Sequence, residues 1–223
     1  MVRITGPVVL ELQHVFAADW FKETGVVLNG DADFPPPQLA GEVAAQVLPS
    51  GPAFPIQNNQ RIFVALLHGA RQRVVLTTPY FVPDEPLLQA MQTAALRGVE
   101  VHLVVSERCD NALVTLAQES YFEELLESGL RIHRYKKNLL HAKHLSIDDA
   151  VAVIGTSNLD IRSFALNAEV MLMIYDKGVT ARLIVEEDRY FANSQPLTRP
   201  DWQQRSFGHR LAQNLARLLS PLL

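Results

Sequence analysis

The chain has 223 residues, 48% of them apolar and 20% charged, with a formal net charge of -4. This is enough for one cored domain, or one domain and a piece of another, and it is not the strongly basic balance of a dedicated nucleic-acid binder. The single cysteine, Cys109, excludes an intrachain disulfide and any paired-cysteine zinc motif, and no run reaches the roughly 20 apolar residues of a membrane span.

Residues 1–7 lack the basic end and apolar core of a signal peptide, so membrane contact by this stretch of chain is expected to be peripheral. Pro7 sits where the first turn of a helix tolerates its missing N–H. Val8, Leu12, Val15, Phe16 and Trp20 continue that helix. Residues 23–57 are rich in proline and glycine and read as a connection, with a short strand over 43–48. A connection of this length suggests a domain boundary near residue 40.

Beyond it the chain alternates. A helix ends at Gly69, and a strand over 74–78 runs into Pro79-Tyr80-Phe81-Val82-Pro83. Asp84 can cap the next helix, whose inner stripe is Leu87, Leu88, Met91 and Ala95, and Gly98 stops it. Val99, Val101, Leu103 and Val105 form a strand, and one helix is expected over 111–128, ending at Gly129. Strands follow over 130–134, 140–147, 151–154 and 170–175, then helices over 179–192 and 205–219. The last helix carries Leu211, Leu215, Leu218 and Leu222 at steps of four and three. The pattern implies an α/β fold, a mixed β-sheet flanked by helices on both faces.

The chemistry concentrates in 140–148, Leu-His-Ala-Lys-His-Leu-Ser-Ile-Asp. Residues two apart on a strand share a face, so His141 and Lys143 would stand side by side, an imidazole beside an ammonium. Asp148 would point to the other face, which favours a structural role. The turn Gly155-Thr156-Ser157-Asn158 and then Asn167 and Glu169 would bring hydroxyls, amides and a carboxylate to adjoining strand ends. Such groups can hold phosphate oxygens and orient an imidazole.

His141-x-Lys143-x4-Asp148 with Gly155-Thr156-Ser157-Asn158, and the spacing on to Glu169, resembles the signature of the phospholipase D superfamily. Further stretches resemble the bacterial cardiolipin synthases: Ile4-Thr5-Gly6-Pro7 with Asp19-Trp20, Pro79 to Pro83, Ser163 to Glu169, and the terminal Leu219-Ser220-Pro221-Leu222-Leu223. The resemblance implies a phospholipase D-like α/β sandwich that works through a phosphohistidine without metal or other cofactor. It counts His141, Lys143 and Asp148 as the catalytic motif. Lys143 and Asn158 would bind phosphate oxygens, Thr156 would support that pocket, and Glu169 would orient His141. Tyr80 and Phe81 would line the substrate entrance.

Of the seven histidines only His141 has a lysine two residues later, whereas the family's chemistry uses two such motifs. The resemblance therefore implies the C-terminal part of such an enzyme. Residues 1–40 would be the tail of a missing first half and 41–223 the second catalytic domain. The expected reaction joins two phosphatidylglycerols into cardiolipin and glycerol, peripherally at the bacterial inner (cytoplasmic) membrane. The second motif would come from the N-terminal half or a second copy of the chain. Arg131, Arg134, Lys136 and Lys137 could attract anionic headgroups or serve only as a solvated strand end. A homodimeric single-motif phosphodiesterase or nuclease, or an inactive truncated product, stand as alternatives, with nucleic acid disfavoured by the charge.

Overall fold

The structure is a computed structural model that describes residues 2–54, 56–107 and 111–220. Cys109 and the terminal Pro221, Leu222 and Leu223 lie outside the described residues. Helix α1 (Val8–Thr24) leads through an extended stretch to β1 (Ala44–Ser50), α2 (Asn58–Gly69), β2 (Arg73–Thr78) and the short β3 (Phe81–Val82). Then come α3 (Glu85–Leu96), β4 (Glu100–Ser106), α4 (Ala112–Ser120), α5 (Phe122–Glu127), β5 (Arg131–Tyr135), β6 (His144–Ile147) and β7 (Val151–Gly155). The chain closes with β8 (Leu159–Asp160), α6 (Ile161–Ala165), β9 (Glu169–Tyr175), α7 (Lys177–Ala192), β10 (Ser194–Leu197), α8 (Arg199–Gln203) and α9 (Phe207–Leu218).

Eight strands form one mixed sheet in the order β1-β9-β7-β6-β2-β4-β5-β10. β2, β4 and β5 are parallel neighbours, and the remaining pairs are antiparallel. β3 and β8 pair in parallel as a separate two-stranded ribbon beyond the sheet end. On one face Val74, Leu76, Leu103 and Leu145 pack under Phe63, Leu67, Leu87, Met91, Phe122 and Trp202. Burying each of these larger side chains contributes about 1.5–3 kcal/mol. The alternate residues Val75 and Val104 face α7, under Tyr190 and Phe191. Farther along that face Val179 and Leu183, with Ile4 and Val8, cover Ala152, Leu172 and Ile174. The sheet is therefore flanked by helices on both faces, as the alternation implied.

Local signals hold at several joints. The Asp84 carboxylate accepts from the Leu87 N–H at 3.1 Å, and Gly98 takes the left-handed φ of +91° that ends the turn after α3. Other expectations change. The single helix over 111–128 is two, because the Tyr121 N–H bonds to the Gln118 carbonyl and its ring turns into the core against Phe81. The strand expected over 140–147 begins only at His144. Ahead of it the buried Leu140 hands its N–H to the Ser106 hydroxyl at 3.2 Å, so 140–143 crosses the sheet end. No residue of α1 is buried, despite its helical spacing. The leucines of α9 face outward: Leu211, Leu215 and Leu218 are all exposed.

Candidate active site

Topology gathers the site. β2, β4 and β5 finish at the same end of the sheet at which the antiparallel β6 starts, β7 stops and β9 begins. The loop after β2, the segment before β6 and the turn after β7 therefore meet there. The Gly155 N–H donates to the Lys143 carbonyl at 3.2 Å, which fixes 143 opposite 155. Glycine is required at 155 by closeness: a Cβ there would lie 2.2 Å from the Val170 carbonyl oxygen and 2.7 Å from Met171 Cα.

His141 is exposed and Lys143 half-buried. The Lys143 ammonium lies 3.1 Å from both ring nitrogens of His141 and 3.1 Å from the His141 carbonyl oxygen. Which nitrogen accepts depends on the tautomer. Burial pushes the Lys143 ammonium pKa down, opposed by the charges of Glu169 and Asp160. The Tyr80 ring stands edge-on to the imidazole with centroids 6.4 Å apart. So the expected pair does stand side by side, although through a loop and not a strand face.

Asp148 is elsewhere in effect. It occupies φ +53° in the tight β6–β7 turn, and its Oδ1 accepts the N–H groups of Gln72 at 2.8 Å and Arg73 at 3.0 Å, with Arg71 at 3.2 Å from Oδ2. Its own N–H donates to the Arg73 carbonyl at 2.7 Å. The motif aspartate thus clamps the start of β2, at the sheet end away from His141, and is corrected from catalytic to scaffold. Thr156 changes similarly. Its hydroxyl accepts the Val170 N–H at 2.9 Å and donates to the Val170 carbonyl at 3.3 Å, so it stitches β7 to β9. Phe81 is fully buried in the main core, whereas Tyr80 lines a cleft.

Tyr80, Asn111, Asn158, Asp160, Arg162 and Asn167 line a cleft of about 280 Å³. Asn158 is half-buried in it, its side chain hydrogen-bonded to the Asp160 carboxylate, and its Oδ1 is buried without a hydrogen-bond partner among the described residues. Glu169 accepts from Asn167 Nδ2 at 3.4 Å and acts on Lys143 through charge. Among the described residues the hydrogen-bond partner of the His141 ring is Lys143, so Glu169 does not orient that ring directly. Asp160, Arg162 and Asn111 were not singled out from sequence. Asp160 was findable, since it caps α6 by accepting the Ser163 N–H at 2.7 Å, the Asp-x-x-Ser spacing of a helix start. Burial raises its pKa against those hydrogen bonds.

Larger grooves of about 560 and 480 Å³ flank α1. The 280 Å³ cleft is the one whose Tyr80 ring stands against His141, so chemistry rather than volume locates the candidate site. Among the described residues no group of three or more His, Cys, Asp or Glu side chains is arranged to hold a metal ion. Of the four cations preceding the motif, Arg131 pairs with Glu100 and Arg134 with Glu107. Of these four, Lys136 and Lys137 are exposed and have no ion-pair partner among the described residues.

The chain matches the family described as cardiolipin synthase, PLD-like domain, over residues 63–192. It is 41% identical to cardiolipin synthase A of Serratia proteamaculans and 37% identical to that of Proteus mirabilis, over all of this chain and 46% of each relative. The chain thus spans about half the length of the curated relatives it matches. Among solved structures, phosphatidylserine synthase of Haemophilus influenzae superposes with a TM-score of 0.65 at 22% identity, over 83% of this chain and 49% of that one. A phospholipase D family member, Nuc, from Salmonella typhimurium superposes with a TM-score of 0.61 at 18% identity, over 70% and 99%. At these identities the structural likenesses speak for the fold alone.

Proposed function

The chain belongs to the cardiolipin synthase family of phospholipase D-like proteins, and from that premise we propose that it is one catalytic half of a phosphatidyltransferase. Residues 41–223 would be the catalytic domain and 1–40 the tail of a preceding half. The reaction joins two phosphatidylglycerol molecules into cardiolipin and glycerol, at the surface of the bacterial inner (cytoplasmic) membrane. Among the described residues no helix is long and apolar enough to cross a membrane, so in this reading these elements engage lipid from one side.

The observation that carries the reading is the Lys143 ammonium set 3.1 Å from the His141 ring nitrogens, next to Tyr80 of the adjoining cleft. A phosphodiester is an anion whose oxygens gather charge as phosphorus is attacked, so a fixed cation lowers that barrier. One neutral imidazole attacks phosphorus and the phosphohistidine bond forms as the glycerol alkoxide leaves. A second, protonated imidazole gives that alkoxide its proton. It then takes the proton of the incoming hydroxyl, whose oxygen displaces the histidine. His141 fills the second, acid–base role. Lys143 and Arg162 face the phosphate oxygens, and Asp160 and Glu169 hold the charge of Lys143.

Two imidazoles are needed and this chain has one His-x-Lys motif. The other comes from a preceding half or from a second copy around a twofold axis. The test is phosphatidyl transfer from labelled phosphatidylglycerol by the chain alone, sized by chromatography, and by the chain joined to a segment with another His-x-Lys motif. The expected result is cardiolipin only where two motifs are present. Sustained turnover in a monomeric fraction of this chain would overturn the proposal.

A further inference from the structure

α9 is mounted with its polar side inward. Gln213 is buried and donates to Glu119 at 2.9 Å while accepting from Arg205 Nη1 at 2.6 Å. His209 meets Glu119 at 2.9 Å, and Arg217 pairs with Glu124 at 2.6 Å over the Tyr121 ring. Ser220 hydrogen-bonds the Tyr121 hydroxyl at 3.0 Å. Hydrogen bonds and ion pairs thus hold the helix to α4 and α5, with Ala216 as its buried apolar contact.

The opposite arc carries Phe207, Leu211, Leu215 and Leu218, at steps of four, four and three, with Leu219 beside them. Phe207 is 82% and Leu218 76% exposed, and the others between 41% and 56%. Helices of globular domains ordinarily turn such a stripe to the core. Here it is a contiguous apolar patch on the order of 500 Å², large enough to mark an interaction site but short of the roughly 800 Å² per partner of a standard protein interface.

Charge decides the occupant. The chain as a whole is acidic at -4, yet from Trp202 to the C-terminus there is no Asp or Glu, against three arginines and one histidine. Arg205 and Arg217 are paired with Glu123 and Glu124, while Arg210 stands exposed at the border of the stripe with no ion-pair partner among the described residues. An apolar stripe edged by cation without acid is the chemistry of a helix lying in the interface of an anionic bilayer. Position agrees: α9 packs along α4, whose cap Asn111 and first-turn Val114 line the cleft together with Tyr80, the ring that stands against His141.

We infer that the outer face of α9 is a lipid-docking surface that seats the cleft at the headgroup plane of an anionic membrane. The occupant is a bilayer, not a second copy of the chain. This rests on the proposed lipid substrate only for why docking is useful, and its test reads binding, not turnover, so the two can fail separately.

The experiment is flotation of the full chain with vesicles of phosphatidylglycerol and phosphatidylcholine, or of phosphatidylcholine alone. The wild-type chain is expected to float with the anionic vesicles. The triple variant Leu211→Gln/Leu215→Gln/Leu218→Gln should bind them about tenfold more weakly or worse, with an unchanged melting curve because the three side chains already face solvent. Arg210→Glu should weaken binding to the anionic vesicles alone, and Leu39→Gln, exposed and remote, should change nothing. Full vesicle binding by the triple variant overturns the inference. So does a wild-type dimer that the same three changes convert to monomer without altering flotation, which would make the stripe a contact between copies.

Discussion

His141 and His144 lie three residues apart and meet opposite environments. His141 is exposed at the sheet end beside an ammonium. His144 is buried under α7, its Nε2 3.5 Å from the fully buried Glu187, which also faces Arg73 at 3.5 Å, and its ring lies against Tyr190. The same face holds a second sequestered pair, His102 and His133, with Nδ1 and Nε2 2.9 Å apart and Phe191 packed on both rings. Imidazoles walled in by aromatics and strands serve packing, because no outside anion can reach them. An exposed imidazole with a cation in reach is open to an anion. Access and neighbouring charge, rather than residue type, separate the two regions.

Substitution at the sheet end should give the largest effect. In a complete two-motif enzyme, His141→Ala should lower the rate of phosphatidyl transfer roughly a thousandfold or more while shifting stability by less than about 0.5 kcal/mol. Near-normal turnover would remove His141 from the chemistry. Equal loss in a folded His144→Ala enzyme would erase the contrast between the two regions.

Beneath α7 the loss should be in folding. Glu187→Ala leaves Arg73 without its buried counter-charge, and urea unfolding should show a loss of about 3–5 kcal/mol, with activity per folded molecule kept. Asp148→Ala tests the scaffold role at the far end of β6. Three backbone N–H groups lose their acceptor and a left-handed φ passes to alanine, so about 1–3 kcal/mol of stability should go, again without loss of turnover by the folded fraction. A selective fall in activity with unchanged urea midpoint would return Asp148 to the catalytic group.

The smallest effect is one of pH. Burial, then the neighbouring His102 and the arginines 131 and 73, hold His133 down at about 4. Burial likewise lowers His102 against the pull of Glu100. Both rings protonate in the unfolded chain near the ordinary histidine value, about 6.5, before they do so in the fold. Their contribution is therefore complete above that value and is lost as pH falls from about 6.5 toward 4. Melting temperatures should decline over that window, and His133→Phe should flatten the slope. Equal slopes in the two proteins would show that the pair titrates no differently on folding.

Much of this was legible in the residues. Alternating apolar stretches placed the main strands, Asp84 and Gly98 marked the ends of a helix, and the spacing from His141 to Glu169 marked the site and its family. These signals are local: periodicity, capping and turn chemistry act within a few residues. The sequence thereby determined the kind of fold and the pairing of His141 with Lys143. Tertiary structure decided which side of each element is covered. It buried Phe81 while leaving Tyr80 on the cleft, turned Asp148 onto the backbone of β2, and brought Asp160 and Arg162 into the site. It closed Arg131 and Arg134 onto glutamates and faced the leucines of α9 to solvent. Such outcomes depend on residues from 27 positions away, as with Glu107 beside Arg134, to 94 positions away, as with Glu119 beneath Gln213. A helical or strand period specifies that a face is apolar, but only the packed neighbour specifies what lies against it.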